Sequence, residues 1–386
     1  MKKNNKKFES GNIITVSFGH LVHDIHAAFL APILPLLIEK FGFSVFLAGL
    51  LDVFRKIPSL MNPFIGLLAD KISLRYFVIL SPLTTAITMC LLGVAPNYAF
   101  IAILITISGV SSAVFHVPAP VMIKHLSYGQ IGKGMSFYMF GGEMARTLGP
   151  LTILGAISLW GLEGSFRLIP ISLVATLILY FRLHNISISQ DFKKKKSIST
   201  KKTFIRLIPF FLAISGFIFA RAAMKSALTI YLPTYLTSKG GSLWSAGISL
   251  SILQFAGAGG TIIAGIISDK IGRKTALFII AVMNPILMWM YIILDDIYTI
   301  PILIIMGFFL FASGPVLLAL VHDINSERMS FINSIYMTIS FVLSSIMVML
   351  VGFASDRIGM DLTYKITAFV ALGAIPSVFF LKPGKS

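Results

Sequence analysis

His20, His23 and Asp24 fall within one short, otherwise apolar stretch. In a helix, the i,i+3 and i,i+4 spacings bring them onto one face. Histidine titrates near neutral pH, and a neighbouring carboxylate adjusts that titration, so the trio could relay a proton. A metal site is the sharper alternative, with His26 and His116 added. His26 points off the shared face, and neither an HExxH motif nor a cysteine cluster supports it. No metal and no other cofactor is expected.

Two more charged pairs interrupt apolar stretches. Glu143 and Arg146 lie at i,i+3, so they share a face and could form an ion pair. Paired or not, ionisable groups at membrane depth mark substrate or proton sites. Glu143 and Asp24 are the candidate proton carriers, with His20 and His23 beside Asp24. Arg221 and Lys225 lie at i,i+4 and carry the same charge, an arrangement that calls for a negative partner. Arg146, Arg221, Lys225 and His116 are the candidate substrate-binding residues. An Arg fork grips a carboxylate or phosphonate in a way a Lys point charge does not. Asp52, Arg55 and Lys56 share another face and fit a self-satisfied lock better than a binding site.

The elements that must position these residues follow from composition. The chain has 386 residues, 56% hydrophobic and 12% charged, with a mean hydropathy of +0.89. A soluble domain carries about 25% charged residues, so a soluble enzyme and a disordered chain are both excluded. Twelve apolar stretches are long enough to span a bilayer: 12–37, 45–69, 76–95, 98–122, 132–158, 163–182, 204–236, 243–268, 275–294, 298–322, 331–354 and 361–381. Lipid offers the backbone no partners, and no alternating barrel pattern is present, so all twelve should be helices. Cys90 is the sole cysteine, which rules out an intrachain disulfide.

Net charge is +17, yet the basic residues lie between apolar stretches and not on one nucleic-acid-binding face. With the N-terminus inside, 22 of the 32 Lys and Arg fall on the cytoplasmic side and five on the outer side. That asymmetry predicts a multi-pass cell-membrane protein with both termini cytoplasmic. The first span is read as retained, because no small-residue cleavage site follows it. A basic polar stretch with KKKK at 193–196 divides the chain. The expected domains are a six-helix half over 1–182, a cytoplasmic linker over 183–203 and a second half over 204–386.

The halves carry a repeated loop. Gly66-Leu-Leu-Ala-Asp70-Lys71-Ile-Ser-Leu-Arg75 follows the second span, and Gly265-Ile-Ile-Ser-Asp269-Lys270-Ile-Gly272-Arg273-Lys274 follows the eighth. A third copy, Gly352-Phe-Ala-Ser-Asp356-Arg357-Ile-Gly359, follows the eleventh. Nested repeats of this kind mark secondary transporters. The loop resembles the signature loop of the major facilitator superfamily. The second copy is complete, while the first has Ser73 for Gly and Leu74 for a basic residue. Further motifs resemble the fosmidomycin-resistance branch. They are Gly19-His-Leu-Val-His-Asp24 with Pro35-Leu-Leu, Val114-Phe-His116 with Val117-Pro118-Ala119-Pro120, Gly141-Gly-Glu143-Met-Ala-Arg146-Thr-Leu-Gly149-Pro150, and Tyr364-Lys-Ile-Thr-Ala-Phe369. Val117 intervenes in what that branch writes as Phe-His-Pro.

The resemblance implies proton-driven export of small molecules by an all-α, twelve-helix transporter in two pseudo-symmetric halves. Gly66, Asp70, Arg75, Gly265, Asp269, Gly272 and Arg273 would then act as gating residues. Asp70 and Asp269 would pair with nearby Arg or helix N-termini. Gly257, Gly259 and Gly260 are expected to serve close helix packing. The cargo is expected to be a small anionic or zwitterionic compound. Uptake or facilitated diffusion of an organic anion is the alternative. An intramembrane enzyme is the remote one, since no nucleophile–base motif is present. No GxxxxGK[ST] occurs, so energy must come from a gradient. The expected partners are the substrate, protons and the lipid bilayer, with no nucleic acid, and the chain is expected to act as a monomer.

Overall fold

The computed structural model describes residues 8–62, 64–65, 74–128, 130–186, 200–294, 296–324 and 329–381. Among them every regular element is a helix. The first half supplies α1 (Ser10–Ala27), α2 (Leu30–Phe41), α3 (Val45–Lys56), α4 (Arg75–Cys90), α5 (Tyr98–His116), α6 (Pro118–Leu126), α7 (Ile131–Trp160) and α8 (Ile169–Leu183). The second supplies α9 (Thr200–Thr229), α10 (Leu232–Ser238), α11 (Leu243–Ile271), α12 (Arg273–Ile293), α13 (Thr299–His322), α14 (Met329–Ile358), α15 (Met360–Leu372) and α16 (Ala374–Phe380). Ten stretches among the described residues are long and apolar enough to cross a membrane. That is consistent with twelve spans, because α7 carries three charges, Lys133, Glu143 and Arg146, and the stretch after α3 lies partly outside the described residues.

Several expected spans are broken helices, and proline explains three of the breaks. α1 stops before Leu30, α5 before Pro118 and α9 before Leu232. Pro32, Pro118 and Pro233 lack the N–H that would bond the carbonyl four residues back. The last span also divides, at Gly373.

The chain forms two compact units, Met1–Phe41 with Val53–Lys194, and Gly42–Asp52 with Lys195–Ser386. The start of α3 therefore packs in the second unit. In the first unit, α1 lies against α7 at Gly141 and Gly142. A Cβ on Gly141 would fall 2.5 Å from the Ser17 carbonyl oxygen, and one on Gly142 2.5 Å from the His20 ring. In the second unit, α11 and α13 are packed just as closely. Gly257 faces the Phe311 ring and Gly260 the Phe308 carbonyl, while Gly259 opens onto empty space and serves no packing. Large apolar side chains face outward, Leu159 72% and Phe181 71% exposed, as lipid contact requires.

Candidate functional site

The close crossing of α1 and α7 builds the first site. With no Cβ at Gly142, the His20 ring lies against α7 and its Nδ1 donates to the Tyr138 carbonyl, 2.8 Å away. His20 also stacks on the Tyr138 ring, with centroids 4.0 Å apart. His20 Nε2 is 3.2 Å from Asp24 Oδ2, and His23 Nδ1 is 2.8 Å from Asp24 Oδ1. The His23 ring stacks on Phe115 of α5. α5 ends one residue later, and its last side chain, His116, brings Nε2 to 3.2 Å from Asp24 Oδ1. The Tyr138 hydroxyl lies 3.3 Å from His116 Nδ1.

The structure therefore gathers His20, His23 and Asp24 as their spacing suggested, and adds His116. His116 was expected at the substrate and is found on Asp24. Tyr138 was missed, because a backbone carbonyl leaves no signal in sequence. His26 turns away as expected, bonding the Val22 carbonyl. His20, Asp24 and His116 each offer a ligand atom, all within 4.8 Å of one another.

One turn along α7, Arg146 Nη2 donates to Glu143 Oε1 at 2.6 Å. Glu143 is the more shielded partner, with 17% of its side chain exposed against 39% for Arg146. An anionic group can therefore approach Arg146 from its open side. The helix backbone is adapted here, since Gly149 sits against Ile25 and Ala28, where a Cβ would fall 2.6 Å from that of Ala28.

In the second unit, Arg221 on α9 donates to the Ser313 hydroxyl on α13. Among the described residues no carboxylate lies within ion-pair distance of it. It lines a small cavity with Phe217, Met224, Asn284 and Leu310. Lys225, one turn on, lies over the Phe311 ring with its Nζ 5.5 Å from the centroid. Ser313 and Asn284 were not foreseen, as single polar residues on apolar helices have no spacing pattern to betray them.

Of the expected gating residues, Gly66 and Asp70 lie outside the described residues. Arg75 donates to the Ile186 carbonyl at 3.3 Å. In the second copy, Gly272 has φ +89° and ends α11, a conformation glycine adopts without strain. The turn lets Arg273 reach Asp269, Asp323 (3.3 Å) and Ser268 (2.7 Å). Asp269 thus takes the Arg of its own loop as partner. Nothing lies within 4 Å of a Cβ on Gly265, so no close approach requires glycine there. Of the proposed lock group, Asp52 is fully buried and Arg55 donates to the Ala27 carbonyl.

Helices of membrane-spanning length, an apolar outward-facing surface and charged pairs within the helices define an integral membrane protein. The model of the Major Facilitator Superfamily matches residues 16–348, and the chain belongs to that family. It is similar to the fosmidomycin resistance protein of Escherichia coli (strain K12), 26% identical over 96% of this chain and 92% of that protein. The multi-drug resistance efflux pump PmrA of Streptococcus pneumoniae is 24% identical over 69% of each chain. Among solved structures, a bacterial homologue of the human lysosomal transporter Spinster, inward-facing and unoccupied, superposes with a TM-score of 0.73. It is 16% identical, covering 98% of this chain and 95% of its own. The nucleoside transporter NupG superposes with a TM-score of 0.75 at 12% identity, over 96% of this chain and 100% of its own.

Proposed function

We propose that the chain is a proton-coupled exporter of a small anionic or zwitterionic compound, working by alternating access in the cell membrane with both termini cytoplasmic. The Glu143–Arg146 pair carries this reading. Each charge neutralises the other at membrane depth, so a cargo or a proton that takes one partner changes the state of the other. A zwitterion meets both: its anionic group takes Arg146, and its cationic group takes the place of a proton on Glu143. Cargo and proton then exclude each other, which is the condition for antiport and hence for export. The resemblance to two resistance and efflux proteins supports that direction.

The same pair defines the second reading. A simple anion that takes Arg146 strips Glu143 of its partner and favours its protonation. Cargo and proton would then bind together, which is the uptake mode. Arg221 and Lys225, positive and on one helical turn, are the second anion-directed group. The gating role of Asp269 and Arg273 belongs to the same proposal.

The sign of coupling tests it. Inside-out proteoliposomes are loaded acid inside and given fosmidomycin, the compound in the relative's name, or a series of small zwitterions. Accumulation that collapses with a protonophore supports antiport. Accumulation only with an alkaline interior selects the uptake reading. Transport that ignores the pH gradient for every compound removes the proton from the mechanism.

A further inference from the structure

His20 cannot meet Asp24 as a plain neutral imidazole. Its Nδ1 lies 2.8 Å from the Tyr138 carbonyl oxygen, which only accepts, so Nδ1 carries the hydrogen. The neutral ring then turns the bare lone pair of Nε2 toward Asp24 Oδ2, 3.2 Å away. A lone pair facing a carboxylate oxygen at that range is repelled, and a positive centre belongs between them.

His116 presents the same geometry from α5. Its Nδ1 is 3.3 Å from the Tyr138 hydroxyl oxygen, which can accept, and its Nε2 is 3.2 Å from Asp24 Oδ1. His23 donates from Nδ1 to Asp24 Oδ1 at 2.8 Å and holds the carboxylate in place. Its own Nε2 is buried and has no hydrogen-bond partner, so its hydrogen is free to stay on Nδ1. One set of neutral tautomers thus satisfies every outer contact and leaves two imidazole lone pairs and a carboxylate converging.

We infer that His20 Nε2, Asp24 and His116 Nε2 form a site for one divalent transition-metal ion of the zinc type. Zinc takes nitrogen and oxygen ligands at about 2.0–2.2 Å in a tetrahedron, so its ligand atoms stand about 3.3 Å apart. His20 Nε2 lies 3.2 Å from Asp24 Oδ2 and His116 Nε2 3.2 Å from Asp24 Oδ1, each close to that edge. The carboxylate thus bridges the two rings, and one ligand atom from each residue falls within 4.8 Å of the others. Two imidazoles and one carboxylate select zinc, cobalt, nickel or copper over magnesium and calcium, which prefer all-oxygen shells. Tyr138 supplies the outer support that metal-bound histidines need, through its carbonyl to His20 and its hydroxyl to His116. The His116 side chain is 36% exposed, which leaves an entry path and a fourth position for water or an anion. The sequence argued against a metal here because it shows no metal motif. The ligands come from α1 and α5, which no local spacing joins.

This site stands apart from the transport reading, because its test reads metal binding and not flux. Tag-free, full-length protein in detergent is stripped with a chelator, dialysed against Zn2+ and titrated with Co2+. One Zn2+ per chain, with intense visible Co2+ absorption of a four-coordinate site, is the expected result. Asp24→Asn and His116→Ala should each weaken Zn2+ binding at least about 100-fold, and Tyr138→Phe about tenfold. His125→Ala, outside the group, should bind as the parent does. Wild-type protein that takes up no stoichiometric Zn2+ overturns the assignment and leaves a proton as the positive centre. So does binding that persists in both Asp24→Asn and His116→Ala. If a variant fails to fold, the wild-type titration decides alone.

Discussion

Asp356 caps the start of α3. Its two carboxylate oxygens accept from the N–H groups of Val45 and Phe46, each at 2.8 Å. Those donors are among the four that a helix start leaves without partners, and a negative charge there also meets the positive end of the helix dipole. Asp356 belongs to the third copy of the repeated loop, so one copy holds a helix start in the structure. Ser44 adds a weaker cap, its hydroxyl accepting from Leu47 at 3.2 Å. Asp356→Asn should therefore lower stability by about 1 kcal/mol, and Ser44→Ala by less. Thermal melts of the two variants against the parent check the order. Equal midpoints for Asp356→Asn and the parent would remove the cap from the account.

A few residues along, the same contact is made tight by glycine. A Cβ on Gly49 would fall 1.9 Å from the Tyr231 hydroxyl, which is itself bonded to the Val348 carbonyl at 2.8 Å. Tyr231 is fully buried, so the ring has nowhere to go. Gly49→Ala should cost about 1–3 kcal/mol by overpacking. Adding Tyr231→Phe, which removes the clashing oxygen, should recover part of that loss. A double variant no more stable than Gly49→Ala would show that the strain lies elsewhere.

Glu143→Gln keeps the size and removes the charge. Counterflow exchange of a transported compound should persist, while its dependence on a pH gradient should vanish. Flux in proteoliposomes with and without a gradient reads both. Retained pumping against a gradient would exclude Glu143 as the proton carrier.

Arg146→Lys preserves charge but loses the guanidinium fork. Binding of an anionic or zwitterionic cargo should weaken about tenfold, the value of one charge-assisted hydrogen bond. Ligand-dependent shifts of the melting midpoint give the affinity. Binding at parental strength would mean that Arg146 contributes only its charge.

Asp269→Asn should slow turnover while leaving substrate affinity nearly unchanged. The residue is exposed and its partner Arg273 keeps Asp323 and Ser268, so stability should fall by less than about 1 kcal/mol. Undiminished turnover in a correctly inserted variant would end the gating role.

Sequence alone determined the class and the local pairs. Twelve apolar stretches can only be helices in lipid, and the repeated loop carried the family. Within one helix the 3.6-residue turn is fixed, so Glu143 with Arg146 and His20 with Asp24 could be paired by counting. Only the tertiary structure decided what crosses from helix to helix. His116 reaches Asp24 because Gly141 and Gly142 let α7 close on α1, and because α5 ends at the proline break. Tyr138 enters through a backbone carbonyl. Asp356 meets Val45 and Phe46 although about 310 positions separate them. Helical periodicity sets the face on which a side chain stands. Which neighbour that face meets depends on glycine contacts, proline breaks and ring stacking summed over several helices, and no spacing along the chain encodes that sum.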